Sequence, residues 1–365
     1  MSAPGRAPIL VKGMAPVAGV PAVEVDWGLA YELLLGLRMF VDAEEDPATY
    51  TAGPGWFDEV RTTAPPELLE AIRRFSGGHE VCFGFLLGLV TQTDRPRDVP
   101  AFLRYVSALD PMDLRLRLLG YDLETYREGV PREVIADAAR GDRGAMRRFL
   151  GAGREEHCGC YEHVLSLDAG LAKDLLVEVA TGWDEAVLRP SAAKVAGILR
   201  REASEARALI GRTPIEGLVD TVTNGLQYAG EPGIDRILLV PSYVGRPWVI
   251  LSEHRGTKIV CFAAREPEAG GAEAPPEDLV RIHKALGDET RLRLLRRLRE
   301  GSATLQELVE HVGLAKSTVH GHLLALRTSG LVLSSLVDKR YSLRPEALDE
   351  ARDLLGAYLG HGGPV

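Results

Sequence analysis

Residues 156–163 read Glu156-His157-Cys158-Gly159-Cys160-Tyr161-Glu162-His163, a run dense in metal-ligand side chains. On a helix, Glu156, Cys160 and His163 share one face at i, i+4 and i+7. A carboxylate, a thiolate and an imidazole so placed would suit zinc. Against that, cysteine is commonly a small buried residue, and nearby histidines arise readily by chance. No metal ligand is therefore assigned, and no cofactor is expected. A disulfide between Cys158 and Cys160 would be strained by the single residue between them. Trp27, Trp56, Trp183 and Trp248 could line a ligand pocket, but core packing is the better reading of each, and no ligand residue is assigned. The chain carries no Gly-x-x-x-x-Gly-Lys loop, no Gly-x-Ser-x-Gly elbow and no His-Glu-x-x-His motif. Nothing singles out a pair of its many carboxylates for acid/base work, so a non-enzyme is expected.

The 365 residues, 45% hydrophobic and 26% charged, fall in the globular range and exceed one ordinary domain of ~150 residues. Four cysteines in such a length make no disulfide framework, and a reducing cytoplasm is the expected location. No apolar run approaches the ~18 residues of a membrane span. Proline and glycine break any signal-type run in the first 20 residues. The net charge of −9 is unevenly spread. Residues 277–365 carry 13 Lys+Arg against 12 Asp+Glu, whereas residues 1–276 carry a net −10. Such an acidic bulk would be held off the phosphates of a nucleic acid.

The elements that must position any site follow from periodicity. Residues 1–23 mix Pro, Gly, Ala and Val without a period and read as a loose arm. Leu29, Leu33, Leu37 and Phe40 recur at helical spacing. Further helical patterns run near 66–76, 80–91, 98–108, 111–120, 132–140, 142–151, 154–166, 169–186 and 191–210, punctuated at Pro65–Pro66, Gly77–Gly78, Pro131 and Pro190. The period then changes. Ile234–Val240, Pro247–Ser252 and Ile259–Ala263 read as three strands of an antiparallel meander, because their connections are too short for crossover helices. Residues 266–276, EPEAGGAEAPP, are the linker. The expected fold is mainly α (α+β), with a helical domain over 24–265 that includes a β-meander at 234–263. A second domain follows over 277–365.

That second region reads as four helices, a hairpin and a helix. Asp288 is a candidate N-cap for 289–299, with Leu292, Leu295 and Leu298 inward and Arg291, Arg293, Arg296 and Arg297 outward. Thr304-Leu-Gln-Glu307 has the form of a capping box. Gly313 allows the left-handed turn between two helices. Lys316–Thr328 buries Val319, Leu323 and Leu326, and Gly330 ends it. Residues 331–337 and 340–344 pair around Asp338–Lys339 as a wing. The combination of Leu286-Gly-Asp-Glu-Thr-Arg291, Leu308-Val-Glu-His-Val-Gly-Leu314, Ser317-Thr-Val-x-x-His-Leu323 and Gly330-Leu331-Val332 resembles the winged helix-turn-helix of the arsenic-repressor (ArsR) family. The resemblance covers about residues 277–345, under a quarter of the chain.

The resemblance implies a homodimer that binds double-stranded operator DNA and regulates transcription, by default as a repressor, with half-sites ~34–36 Å apart. It implies that the front of Lys316–Thr328 does the reading. There Lys316 would meet a phosphate, and Ser317 and Thr318 would bond phosphate or base edges. His320 and His322 sit farther along, and Arg327 would reach the backbone. On the wing, Lys339, Arg340 and Tyr341 suit phosphate or minor-groove contact. Structural readings compete: His322 lies beside the buried face, Tyr341 can pack the wing, and Arg291 can pair with carboxylates of its own domain. Two departures stand out. Ala315 removes the usual side-chain N-cap, and Gly321 replaces a long polar side chain at a cost of ~1 kcal/mol in helix propensity.

Metal sensing of the family type is disfavoured. Thr304–Val309 holds no cysteine, and the terminal helix 346–359 offers Glu346, Asp349, Glu350 and Asp353 but no histidine before His361. More than 250 residues exceed what dimerisation alone needs, so this region could hold an apolar pocket for a small-molecule effector or a surface for a protein partner. The alternatives are a winged helix kept for protein contacts, or an enzyme fused to a regulatory DNA-binding domain.

Overall fold

The computed structural model describes residues 21–43, 47, 50–123, 129–152, 155–228, 230–265, 275–335, 339–344 and 346–360. Most of the sequence-read arm and linker, residues 1–20 and 266–274, lies outside these. The last residues of the arm do not trail: Ala22–Val25 is strand β1. Helices follow in close succession: α1 (Leu29–Asp42), α2 (Gly53–Thr63), α3 (Pro66–Ser76), α4 (Val81–Gly84), α5 (Leu87–Val90), α6 (Val99–Ala108), α7 (Pro111–Leu118), α8 (Arg132–Ala139), α9 (Arg143–Ala152), α10 (Glu155–Ser166) and α11 (Ala169–Trp183). Local chemistry sets many of their starts. Asp98, Asp110 and Asp168 each cap a helix by accepting a backbone N–H. Proline occupies the first turn of α2, α3, α6 and α7, where no donor is lost. The chain does not break at Pro190. It passes through a π-turn at Asp184–Leu188 and a short 3₁₀ turn into α12 (Ala192–Leu209), and α13 (Ile215–Thr223) follows.

Strands β2 (Leu226–Gln227), β3 (Arg236–Ser242), β4 (Ile250–His254) and β5 (Thr257–Ala263) come next. The expected antiparallel meander is not formed. β1, β3 and β5 run parallel and β4 alone is antiparallel, in the order β1-β3-β5-β4. The short connections do exclude crossover helices, but the chain skips a place instead. After β3 it reaches the far position as β4, and a two-residue turn brings β5 back into the gap. The loop that makes this step is held by Glu32, whose buried carboxylate accepts the Tyr243 N–H at 2.8 Å. Burial pushes the Glu32 pKa up to about 7.

Both faces of this sheet are apolar and covered, the mark of parallel strands. Leu238, Val240, Ile259 and Cys261 pack into the main helical core with Leu33, Leu37 and Phe40. Their alternate neighbours Ile237, Leu239, Val260 and Phe262 pack against Ala203, Ala206, Leu218 and Val219 of α12 and α13. Trp183 is fully buried against Phe40, and Trp56 and Trp248 pack against the same core. Trp27 packs on the other face of the sheet.

Beyond residue 275 lie α14 (Glu277–Leu286), α15 (Glu289–Arg299), β6 (Ala303–Thr304), α16 (Leu305–Val312), α17 (Lys316–Thr328), β7 (Val332–Ser335), β8 (Arg340–Leu343) and α18 (Glu346–Tyr358). They enclose a core of their own. Its inward face on α15 is Leu294, Leu295 and Leu298, while Leu292 is 49% exposed, contrary to the periodicity reading. The two regions are also joined by a sheet. β2 runs parallel to β7 and makes the wing four-stranded, in the order β2-β7-β8-β6. Gly330 makes this approach possible: its φ is 73°, and a Cβ there would sit 2.7 Å from Asn224 Oδ1. Asn224 in turn donates from Nδ2 to the Thr328 carbonyl at 3.2 Å. Among the described residues, no helix is long and apolar enough to cross a membrane.

Candidate nucleic-acid interface

The geometry of α17 begins in the turn before it. The Thr304 N–H donates to Glu307 Oε2 at 2.7 Å, and the Glu307 N–H donates to Thr304 Oγ1 at 3.3 Å, so the capping box is closed at both ends. Gly313 ends α16 at φ 74°, its N–H on the Val309 carbonyl at 2.9 Å. Ala315 then starts α17 with no side-chain cap, which leaves first-turn N–H groups to outside acceptors. Val319, Leu323 and Leu326 are fully buried and fix the rotation of the helix.

That rotation leaves Lys316, Ser317, Thr318, His320 and Gly321 exposed together. Among the described residues, nothing stands within 4 Å of where a Gly321 Cβ would lie. Desolvation by neighbouring atoms lowers the His320 pKa, and the charges of Arg327 and Lys316 lower it further. Lys316 and Arg327, at i and i+11, thus place positive charge on the same line of the helix as the His320 ring, at i+4. The front of a helix that carries hydroxyls and a cation is suited to anion contact.

Of the remaining sequence-read positions, His322, Arg327, Arg340 and Tyr341 have neighbours within the domain, and Lys339 is exposed. His322 is half-buried, its Nδ1 3.7 Å from the Oδ1 of Asp288, the N-cap of α15. Arg327 is half-buried, and burial lowers its pKa, opposed only by nearby Tyr341. Tyr341 packs against the domain core, and burial raises its pKa. Arg340 donates to Ser302 Oγ at 3.0 Å and to the Ser302 carbonyl at 2.6 Å, and it lies 3.2 Å from Glu307 Oε2. It therefore ties the wing to the capping box. Lys339 is exposed in the wing turn at φ 52°, next to residues 336–338, which lie outside the described set. Arg291 forms no carboxylate salt bridge among the described residues, although its charge helps to lower the Asp288 pKa. It donates to the Ala285 and Lys284 carbonyls at 2.7 and 2.8 Å and so finishes α14.

The 156–163 cluster is dispersed as far as it is described. Cys160 is buried with its Sγ 2.8 Å from that of Cys82, and His163 Nε2 lies 3.1 and 3.2 Å from the Arg74 and Phe75 carbonyls. The side chains of Glu156, His157 and Cys158, and all of His361, lie outside the described residues.

Residues 288–334, from the cap of α15 into β7, match the bacterial regulatory protein arsR family. They are an ArsR-type helix-turn-helix. The HTH-type transcriptional regulators CmtR of Mycobacterium bovis and Mycobacterium tuberculosis are 39% identical over 75 residues. That alignment takes in 20% of this chain and 64% of theirs, so the chain spans less than two thirds of those relatives' length. No solved structure matches the chain. The family match leaves out α14 and everything before it. The ArsR-type domain therefore borrows β2, the fourth strand of its wing sheet, from a region with no part in that match. Sequence reasoning missed this joint because Asn224–Gln227 carries no strand-length apolar run and pairs with residues about a hundred positions later.

Proposed function

We propose that the protein is a DNA-binding transcriptional regulator of the ArsR type, a repressor by default, acting in the cytoplasm as a homodimer. Residues 24–265 then serve the sensing of a small molecule and share dimerisation with α18. The observation that carries the reading is the exposed front of α17, where Lys316, Ser317, Thr318 and His320 present a cation, two hydroxyls and an imidazole on one open surface. We assign these four and the exposed Lys339 to DNA. His322, Arg327, Arg340 and Tyr341, which have partners inside the domain, are assigned to holding helix and wing. Support for a second copy comes from α18 and the turn that ends it, where Leu348, Leu355 and Leu359, at i, i+7 and i+11, are 44%, 36% and 56% exposed. The name of the relatives, HTH-type transcriptional regulator, agrees with this function.

Fluorescence anisotropy of the full chain against its own upstream DNA tests the proposal. Saturable binding is expected, with Lys316→Ala weaker on every sequence tried because a phosphate contact carries no sequence information. A wild-type chain that leaves that DNA free in dilute buffer would refute it.

A further inference from the structure

A cleft of about 590 Å³ opens in the large region where the 121–122 turn meets the Arg255–Gly256 turn between β4 and β5. Arg117, Arg132 and Arg255 line it, with Leu116, Tyr121 and Asp122. Arg117 is 11% exposed and ion-paired to Asp122. The same carboxylate lies 3.7 Å from Arg255 Nε and 3.4 Å from His254 Nδ1. Burial pushes the His254 pKa down to about 4, helped by Arg117, Arg255 and Arg236, so that ring is neutral at pH 7 and adds no charge. Arg132 extends over the Tyr121 ring, its guanidinium carbon 5.7 Å from the centroid. Three guanidiniums, Arg117, Arg132 and Arg255, thus converge on one cleft with Asp122 and Asp113. Arg117 Nε has no hydrogen-bond partner among the described residues. Burial lowers the Arg117 pKa and the charge of Arg255 lowers it further, and an added negative charge would offset that lowering.

A second observation is independent of charge. Arg255 and Gly256 both have positive φ, 48° and 74°. A two-residue hairpin turn of that form favours Asn-Gly. Arginine in the left-handed region is strained, by about 1–2 kcal/mol. A residue that breaks its local rule beside a cleft is a candidate for function rather than folding.

We propose that this cleft binds a small organic oxyanion, a carboxylate or phosphoryl group held by Arg117, Arg132 and Arg255, with its apolar part against Leu116 and Tyr121. The cleft's volume suits a small ligand, and paired guanidiniums match the planar geometry of oxyanions. The site would supply the sensing role proposed above for residues 24–265. It rests on that reading for what the ligand does, not for whether it binds.

Calorimetric titration of the full chain with sodium benzoate and with inorganic phosphate, against sodium chloride at equal ionic strength, tests it without DNA. Saturable one-to-one binding of at least one oxyanion is expected. Stronger benzoate binding identifies a carboxylate ligand, and stronger phosphate binding a phosphoryl one. Arg255→Asn keeps a turn-competent residue and removes the cation. It should weaken binding about ten- to hundredfold, the loss of one charge-assisted hydrogen bond, while the unliganded thermal midpoint stays equal or rises. Arg132→Ala should also weaken it. Heats no larger than those of chloride for both anions would overturn the proposal, as would wild-type affinity in Arg255→Asn. Failure here leaves DNA binding untouched, and a chain that ignores DNA could still bind the oxyanion.

Discussion

Two glycines flank the start of α17 and make a matched pair of substitutions. At Gly313 and at Gly321 an added Cβ would meet nothing within 4 Å among the described residues, so neither change introduces a clash. Only the backbone differs. Gly313 sits at φ 74°, ψ 28°, where a side chain costs about 1–2 kcal/mol, whereas Gly321 lies inside α17, where alanine is better than glycine by about 1 kcal/mol. Gly313→Ala should therefore destabilise the helix-turn-helix, and Gly321→Ala should stabilise it. Hydrogen exchange of the full chain, read on peptides from α16 and α17, resolves the local effect. A change of 1–2 kcal/mol corresponds to a factor of about 5–30 in the population of open states. Exchange should be about 5- to 30-fold faster in Gly313→Ala and about fivefold slower in Gly321→Ala. Shifts in the same direction for both, or an unchanged Gly313→Ala, would refute the backbone account of how the turn aims α17.

Other consequences are open to measurement. Leu323→Ala empties a fully buried position beneath the exposed face and should cost about 2–5 kcal/mol, seen as loss of exchange protection throughout the ArsR-type domain. The depressed pKa of His320 in the free protein should rise next to DNA phosphates, because they favour the imidazolium. Affinity is then highest below the free-state pKa and falls as pH rises through the bound-state pKa. Anisotropy across that range should show this slope, and its persistence in His320→Gln would count against the assigned contact. Leu355→Glu places a charge on the apolar stripe of α18 and should lower the mass seen by light scattering from dimer to monomer. An unchanged mass would move the interface elsewhere.

The C-terminal elements were legible in the sequence because their signals are local. Asp288, the Thr304/Glu307 box, Gly313 and Gly330 each announce an end within a few residues of it, and the structure puts them there. Where a side chain's partner is distant in sequence, the reading ran short. Arg340 looked like a free wing cation, but its partners Ser302 and Glu307 lie 38 and 33 residues away. The parallel sheet was hidden similarly. β1 is four residues in a Pro- and Gly-rich stretch, and its register with β3 spans over two hundred residues. The uninterrupted apolar run Ile237–Val240 was nevertheless a usable signal, since an antiparallel meander with one wet face would have alternated. α2 escaped because Gly53-Pro54-Gly55 reads as a loop, although proline is acceptable in a first turn.

The salt dependence of binding decides most directly whether α17 meets DNA through its exposed front. Each phosphate contact contributes a slope of about −0.9 to the plot of log affinity against log salt. The wild-type chain should show a steep negative slope on its upstream DNA, and Lys316→Ala should be shallower by about one. Equal slopes for the two proteins would place the phosphate contacts somewhere other than the front of α17.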